Sequence, residues 1–330
     1  MIQYSKYTTL SFNRLIYLNL KYLIKHLIWN IKFHKYNDNK KNIFLLTSRR
    51  SGGTWITQAL SLRKNTKFVL EPYNVGYSDL INSRHYSNKI LVDGFPRFGR
   101  DSSDVTNFFK KILYSNSIKC QEQWNFFSKE FYFFTDTTVI KTHSPKIFIH
   151  SLLKEFPEEK FIYLIRNPLA QCLSIVNKTD VKGKVYISKF LDDAKFLDRY
   201  INLEMKKFMI ETSKNDQYFD KLFLSWILEN LPVLRILPNK NILLIKYEDL
   251  VLDFELEFQK IEQFIGEKIL KEKFINQPSM TTSNKSKKMF KSKDKSYIIE
   301  RWKEKFSYQD LNKFQNILDL FKINIYNLKD

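Results

Sequence analysis

The sequence is poor in glycine, arginine and cysteine. Only 7 of its 330 residues are glycine, and only 11 of its 55 basic residues are arginine. Collagen-like, low-complexity and disordered chains are excluded, and 43% hydrophobic residues predict a packed core. Abundant lysine, asparagine and isoleucine are typical of a translated AT-rich gene. A position that keeps arginine or glycine against this bias is therefore one where we expect that residue to be needed.

The two cysteines, Cys120 and Cys172, are too few for a disulfide framework. Disulfides belong mainly to secreted proteins, so the chain is predicted to be reduced and cytoplasmic. We expect both cysteines to be small buried hydrophobic residues.

The net charge of +20 first indicates a polyanionic partner. Most of this charge is lysine, which the compositional bias spreads along the chain, so the charge alone is a weak clue and we do not expect nucleic acid as the partner. The one strongly basic stretch, residues 283–295, is predicted to be a mobile loop.

Residues 1–40 are predicted to form an amphipathic basic helix and a linker, ahead of a single domain over residues 41–330. The apolar part, residues 15–31, is interrupted by two lysines and falls short of the ~20 apolar residues that a membrane span needs. It also lacks the pattern of a signal peptide. Two interpretations stay open: residues 10–33 dock on an anionic membrane surface, or the helix packs on its own domain.

From residue 41 onward, short apolar runs alternate with helical patterns. This order favours βαβ units, and so an α/β fold with a mainly parallel central sheet flanked by helices. The predicted strands are 43–47, 67–70, 138–141, 160–165 and 241–245. The predicted helices are 54–62, 105–114, 147–155, 169–177, 188–212, 218–237, 254–265 and 308–321.

The segment after the first strand, residues 47–55 (TSRRSGGTW), contains the adjacent pair Gly52 and Gly53. Glycines let backbone N–H groups turn toward a ligand, and the following helix start adds further N–H donors. The segment therefore predicts a cradle for a phosphate or sulfate group. Its side-chain donors are Arg49, Arg50, Ser51 and Thr54.

A second anion site is predicted at residues 165–177 (IRNPLAQCLSIVN), where Arg166 ends a strand and Ser174 lies on the following helix. Between the two anion segments, the motif KTHSP (residues 141–145) follows another strand. His143 is placed there to accept a proton, and Lys141 can supply a charge to a transferring group.

These three segments, in this order, resemble PAPS-dependent sulfotransferases, where PAPS is 3′-phosphoadenylyl sulfate. TSRRSGGTW is similar to the family's 5′-phosphosulfate loop, RNPLAQCLS to its 3′-phosphate motif, and KTHSP to the segment with its catalytic histidine. YEDL (residues 247–250) and the late RWK (residues 301–303) also look like the family. The resemblance implies a P-loop-like sulfotransferase fold, PAPS as the sulfuryl donor, and an acceptor hydroxyl.

The resemblance also implies residue roles. Arg50 would neutralise the 5′-phosphate leaving group, with Lys141 near the sulfuryl oxygens, and His143 would take the acceptor's proton. Trp55 would stack near the adenine. The implied donor-binding residues are Arg49, Arg50, Ser51, Gly52, Gly53, Thr54, Trp55, Arg166 and Ser174. The family's late Arg-Lys-Gly segment is missing, and the basic loop over residues 285–295 is expected to replace it.

The pair Glu71–Pro72 looks like the Glu-Pro of carbohydrate sulfotransferases, in some of which a glutamate is the base. Glu71 therefore competes with His143 for that role. Together with Arg50, where cytosolic members have lysine, this pair favours a glycan as the acceptor.

Two other functions stay open. A P-loop phosphotransferase is disfavoured because no Lys-Ser/Thr pair follows the glycines, and no metal is expected. A noncatalytic basic module for nucleic acid or an anionic membrane would leave the paired anion segments unexplained.

Overall fold

The computed structural model describes residues 33–34, 41–60, 63–72, 91–92, 95–96, 102–114, 134–177, 185, 187–269 and 295–329. The predicted N-terminal helix, Cys120 and the basic stretch as far as residue 294 lie outside the described residues. No helix within these ranges is long and apolar enough to cross a membrane.

A five-stranded sheet forms the centre of the fold, and all of its neighbouring strands run parallel. The strand order is β2-β3-β1-β4-β5. Each of the five predicted strands is confirmed to within one residue at either end. The strands are β1 (Ile43–Leu46), β2 (Thr66–Leu70), β3 (Thr137–Thr142), β4 (Lys160–Ile165) and β5 (Ile242–Lys246).

Among the described residues, two short ladders lie outside this sheet. Phe33–His34 pairs in parallel with Phe134–Thr135, and Leu91–Val92 pairs antiparallel with Phe95–Pro96.

Helices connect the strands, as the alternating pattern predicts. The sequence pattern does not predict two short helices, α9 and α11. The α-helices are α1 (Gly53–Leu60), α2 (Ser102–Tyr114), α3 (Ile149–Glu155), α4 (Pro168–Val176), α5 (Ile187–Leu191), α6 (Ala194–Tyr200), α7 (Leu203–Lys214), α8 (Tyr218–Leu234), α9 (Tyr247–Leu252), α10 (Phe254–Ile265), α11 (Lys295–Glu300) and α12 (Tyr308–Leu320). The 3₁₀-helices are Ser144–Phe148 and Lys303–Lys305.

The prediction of one continuous helix over residues 188–212 is wrong, because the chain forms α5, α6 and α7 there. Two polar side chains restart the helix. Asp193 accepts a hydrogen bond from the backbone N–H of Phe196 (3.0 Å), and Asn202 accepts one from the N–H of Met205 (2.9 Å). Both are helix N-caps, which favour a new helix start over continuation of the preceding helix.

The sheet is buried on both faces, as a parallel sheet between helical layers requires. In β1, Phe44 and Leu46 belong to one hydrophobic cluster, while Ile43 and Leu45 belong to the other. All four side chains are fully buried. The unbroken apolar run IFLL is thus explained by helices that cover both faces of its strand.

The fold places the candidate site at the carboxyl edge of the sheet, where ligands bind to open parallel sheets. The segments that follow β1, β2, β3 and β4 all leave the sheet at this edge. They carry the anion loop, Glu71, His143 and Arg166, respectively.

Candidate active site

The loop between β1 and α1, residues 47–52, is folded on itself by two serines. The hydroxyl of Ser51 donates to the carbonyl oxygen of Ser48 (2.7 Å) and accepts from the N–H of Ser48 (3.1 Å). Arg50 and Gly52 have positive φ values of 67° and 92°. A tight turn of this kind brings backbone N–H groups to one side, as an anion site needs. We call residues 47–52 the anion loop.

Both glycines of the motif are required by their surroundings. A Cβ at Gly52 would lie 2.5 Å from Cδ2 of the Tyr247 ring. A Cβ at Gly53 would lie 2.8 Å from Cγ2 of Thr47 and 3.0 Å from Cε of Lys141. The glycines therefore let the loop close against Tyr247 and let Lys141 pass beside the start of α1.

The second anion segment lies against the first. Arg166 follows β4, and its Nη1 donates to the backbone carbonyl of Arg50 (2.9 Å). Nε of Arg50 donates to Oγ of Ser174 on α4 (3.1 Å). Three residues that the sequence assigns to two motifs thus lie in one continuous patch.

This patch concentrates positive charge. Burial, and then the neighbouring charge of Arg166, lower the pKa of Arg50. The two guanidinium groups repel each other, so an anion that binds to both relieves that repulsion. The electrostatics favour a ligand with concentrated negative charge.

Tyr247 and Glu248, from the YEDL motif, hold the second segment in place. The guanidinium carbon of Arg166 lies 4.4 Å from the centre of the Tyr247 ring, a cation–π contact. The N–H of Asn167 donates to Glu248 Oε1 (2.9 Å), and the hydroxyl of Tyr326 donates to Glu248 Oε2 (3.0 Å). The sequence identified YEDL only as a motif, without this role.

His143 follows β3, between the residues that follow β1 and β2, the strands on either side of β3. The backbone continues both ladders of β3, since Thr47 N–H donates to the carbonyl of Thr142 (3.0 Å) and Glu71 N–H donates to that of Lys141 (2.8 Å). Oγ1 of Thr47 lies 2.7 Å from Nδ1 of His143, and Oε1 of Glu71 lies 2.9 Å from its Nε2.

The two candidate bases, His143 and Glu71, are therefore in direct contact. The N–H of His143 also donates to Glu71 Oε2 (3.2 Å), and Nζ of Lys141 lies 3.6 Å from Glu71 Oε1. Glu71 itself has a φ of 44°, a conformation that residues other than glycine adopt rarely and at a cost. Strain at a side chain that faces a histidine and a lysine is typical of a functional position.

The charge of Glu71 follows from its contacts. Burial by itself raises the pKa of Glu71, but His143 and then Lys141 outweigh it, so the pKa lies below its usual value. Nδ1 of His143 lies at hydrogen-bond distance from the hydroxyl of Thr47, and the tautomer of the imidazole decides which of the two donates. The network thus fixes the orientation of the His143 ring.

Three residues that the sequence assigns to donor binding are not among the contacts described above. The ring of Trp55 is 6% exposed and stacks on Phe254 with ring centres 4.7 Å apart. Arg49 is exposed, and Thr54 is half-buried at the start of α1. Their assignment to donor binding stays a prediction. Cys172 is buried, as expected, and burial raises the pKa of its thiol.

Comparison with known proteins gives one family. The model of the sulfotransferase domain family matches residues 40–329. No curated protein matches the sequence.

Several solved structures align with most of the chain. A mouse sulfotransferase, SULT7A1, complexed with PAP has 13% identity and a TM-score of 0.45, covering 88% of this chain and 86% of its own. The sulfotransferase domain of the curacin biosynthetic pathway has 14% identity and a TM-score of 0.44, covering 87% and 99%. That of the Synechococcus PCC 7002 olefin synthase has 15% identity and a TM-score of 0.43, covering 89% and 100%. Values this low carry no information about the donor or the acceptor.

Proposed function

The chain belongs to the sulfotransferase domain family, and we propose that it transfers a sulfuryl group from PAPS to a hydroxyl group of a carbohydrate. The products are the sulfated acceptor and adenosine 3′,5′-bisphosphate (PAP). Residues 41–330 are proposed to form the single domain that carries this activity.

The observation that carries the proposal is the contact between the two anion segments. Arg50 is bonded to Ser174 through its side chain and to Arg166 through its carbonyl oxygen. PAPS has a 5′-phosphosulfate and a separate 3′-phosphate, so it needs two neighbouring anion sites. Ser51, Gly52 and Gly53 are proposed to hold the 5′ side, and Arg166 with Ser174 the 3′ side.

In the proposed reaction, the acceptor oxygen forms a bond to sulfur while the bond from sulfur to the bridging oxygen of the 5′-phosphate breaks. The electron pair of that bond stays with the phosphate, where Arg50 balances the added negative charge. Lys141, held between Gly53 and Glu71, is proposed to face the sulfuryl oxygens. As in phosphoryl transfer, the enzyme contributes mainly positioning and electrostatic stabilisation.

The proton of the acceptor hydroxyl is proposed to go to the pair of His143 and Glu71. Both side chains reach the same point, since Nε2 and Oε1 are 2.9 Å apart. A hydroxyl that binds there contacts both groups, and the carboxylate stabilises the imidazolium that forms when His143 takes the proton. We therefore propose that His143 and Glu71, which the sequence offers as alternative bases, act together.

A carbohydrate acceptor is supported by two features. Arg50 stands where cytosolic members of the family have lysine, and the Glu71–Pro72 pair is similar to that of carbohydrate sulfotransferases. Glu71 of the Glu71–Pro72 motif contacts His143, the other candidate base, which supports a role for this motif in the reaction.

Binding of PAP, the spent donor, tests the proposed function. Ligand at ~100 times its dissociation constant stabilises a protein by about 2.7 kcal/mol, which raises the melting temperature by several degrees. We expect this shift with PAP and not with Mg-ATP.

The matched control is Arg235→Ala, because Arg235 is an exposed arginine at the end of α8 and binds the carbonyl of Phe321. Arg166→Ala should lose the shift and Arg235→Ala should keep it. A shift with Mg-ATP alone would overturn the proposal in favour of a phosphotransferase.

A further inference from the structure

A fully buried lysine, Lys146, lies directly behind the anion loop. It belongs to the 3₁₀-helix Ser144–Phe148, three residues after His143. Its side chain packs in the interior, with 1% of the residue exposed. Lysine is almost never buried to this extent unless a charged partner holds it, so its contacts need an explanation.

The ammonium group of Lys146 is held by uncharged oxygens. Nζ donates to Oδ1 of Asn230 (2.8 Å) and to Oγ of Ser48. Oδ1 of Asn230 also accepts from the hydroxyls of Tyr163 (2.9 Å) and Ser48 (3.3 Å). The amide of Asn230 is fixed in turn, because its Nδ2 donates to the carbonyl of Trp226 (2.7 Å).

The charged groups that act on Lys146 are two carboxylates. Burial is the largest effect and lowers the pKa of Lys146 to about 8, while Glu229 and then Glu71 act in the opposite direction. Tyr163, which also faces this network, has a pKa well above its usual value because of burial and then Glu229, so it stays neutral. A cation held mainly by neutral groups is costly to bury. A methionine, which is uncharged and one atom shorter, would avoid that cost.

The position of Lys146 explains why the charge is kept. Two successive residues of the anion loop contact two residues of the segment that follows β3. Thr47 contacts His143, and Ser48 contacts Lys146. Ser48 is also the residue on which Ser51 folds the loop. Lys146 therefore ties the turn of the loop to the segment that carries the proposed base.

We propose that Lys146 is a positioning residue for the sulfuryl donor, which holds Ser48 so that the anion loop stays in register with His143 and adds positive charge behind that loop. This inference rests on the proposed function, because it assumes that the loop binds the 5′-phosphate. Lys146 acts through Ser48 and is not itself assigned a contact with the substrate.

The charge of Lys146 gives a signature that a merely structural lysine would lack. The ammonium is protonated below its pKa of about 8 and neutral above it. Affinity for PAP should therefore fall as the pH rises through about 8. The phosphates of PAP complete their ionisation at lower pH, since their second pKa is about 6, so they do not contribute to this step.

Calorimetric titration with PAP between pH 7 and pH 9.5 tests the inference. At pH 7, Lys146→Met should bind PAP about tenfold more weakly than the wild type, because the anion loop loses the charge-assisted hydrogen bond that holds Ser48. The step near pH 8 should be absent from this variant. Glu229→Gln should move the step to lower pH, because Glu229 favours the protonated lysine.

A double-mutant cycle tests whether Lys146 acts through Ser48. Ser48→Ala should weaken binding, and Lys146→Met in that background should weaken it by much less than tenfold, because the two share one path. Circular dichroism melting checks that each variant is folded. If Lys146→Met does not fold, Glu229→Gln and Ser48→Ala, which keep the lysine, still decide the question through the position of the step and the affinity.

The outcomes separate this inference from the proposed function. If the wild type binds PAP and Lys146→Met binds it equally well, or keeps the step near pH 8, the inference is overturned alone. If the folded wild type does not bind PAP, the proposed function fails and the inference fails with it.

Discussion

His143 and Glu71 face each other across the ends of two neighbouring strands, with Nε2 and Oε1 2.9 Å apart. The register of the sheet produces this contact. Leu70, the last residue of β2, pairs with Lys141 of β3, so the residues that follow each strand leave the sheet side by side. The two groups are therefore held together by backbone pairing and by their own side chains.

If the pair accepts one proton, its members act as a unit. We expect Glu71→Gln and His143→Gln each to lower kcat by about 10²–10⁴, the usual contribution of a positioned base. The double variant should be little slower than the worse single one, because removing either member already disables the unit. Steady-state kinetics on the three variants measures this. Independent, multiplicative losses would show that the two groups do not act as one unit.

The contact also predicts how stability depends on pH. The pKa of Glu71 is lowered in the folded protein, so its ionised form stabilises the fold above its usual pKa. That contribution is lost as the pH falls through the lowered pKa. Glu71→Gln should therefore melt at a lower temperature than the wild type at pH 7, and the difference should shrink as the solution is made acidic. A difference that grows toward acidic pH would contradict the assigned charge state.

The two arginines should have separable effects on kinetics. Arg166→Ala removes a group assigned to the 3′-phosphate, so it should mainly raise KM for PAPS and the dissociation constant of PAP. Arg50→Ala removes the cation assigned to the leaving phosphate, so it should mainly lower kcat, by about 10²–10³. Wild-type rates in either variant would contradict the assignment.

Gly53, the first residue of α1, offers a prediction with an internal control at Gly266. Gly53→Ala places a Cβ against Thr47 and Lys141, so it should weaken PAP binding and destabilise the fold by about 1–3 kcal/mol. Gly266, the C-cap of α10, has a φ of 73°, and no heavy atom lies within 4 Å of the position that a methyl group would occupy there. Gly266→Ala should cost about 1–2 kcal/mol of stability through backbone strain.

Melting temperature and PAP affinity distinguish the two glycine variants. Both should melt below the wild type, but only Gly53→Ala should lose affinity for PAP. Equal losses of affinity would mean that PAP binding follows global stability and that the close fit at Gly53 has no special part in it.

Much of the fold could be predicted because its strands are short apolar runs between polar turns. The run from Ile43 to Leu46 is buried on both faces of the sheet, so its pattern has no ambiguity. The breaks in the helical stretch over residues 188–212 could not be predicted, because Asp193 and Asn202 are compatible with an exposed helix face. Only their hydrogen bonds to the chain ahead reveal them as caps.

Some residues of the site could likewise be predicted from the sequence, and others could not. Arg50, Arg166 and Ser174 lie in motifs that the sequence displays, and the structure brings them together. Lys146 gives no such signal, since a lysine in a basic sequence is expected on the surface. Its partner Asn230 is 84 residues away along the chain, so the contact arises only from the packing of α8 against the segment after β3.

The central claim is that the protein transfers a sulfuryl group from PAPS, and the most direct test is the formation of PAP in the presence and absence of acceptors. The wild type, supplied with PAPS and a panel of sugars with a phenol as comparison, should release PAP and form a sulfate ester with a sugar. Arg50→Ala should be slower by about 10²–10³ under the same conditions. Release of PAP that needs no acceptor, or a rate that is unchanged in Arg50→Ala, would contradict the account.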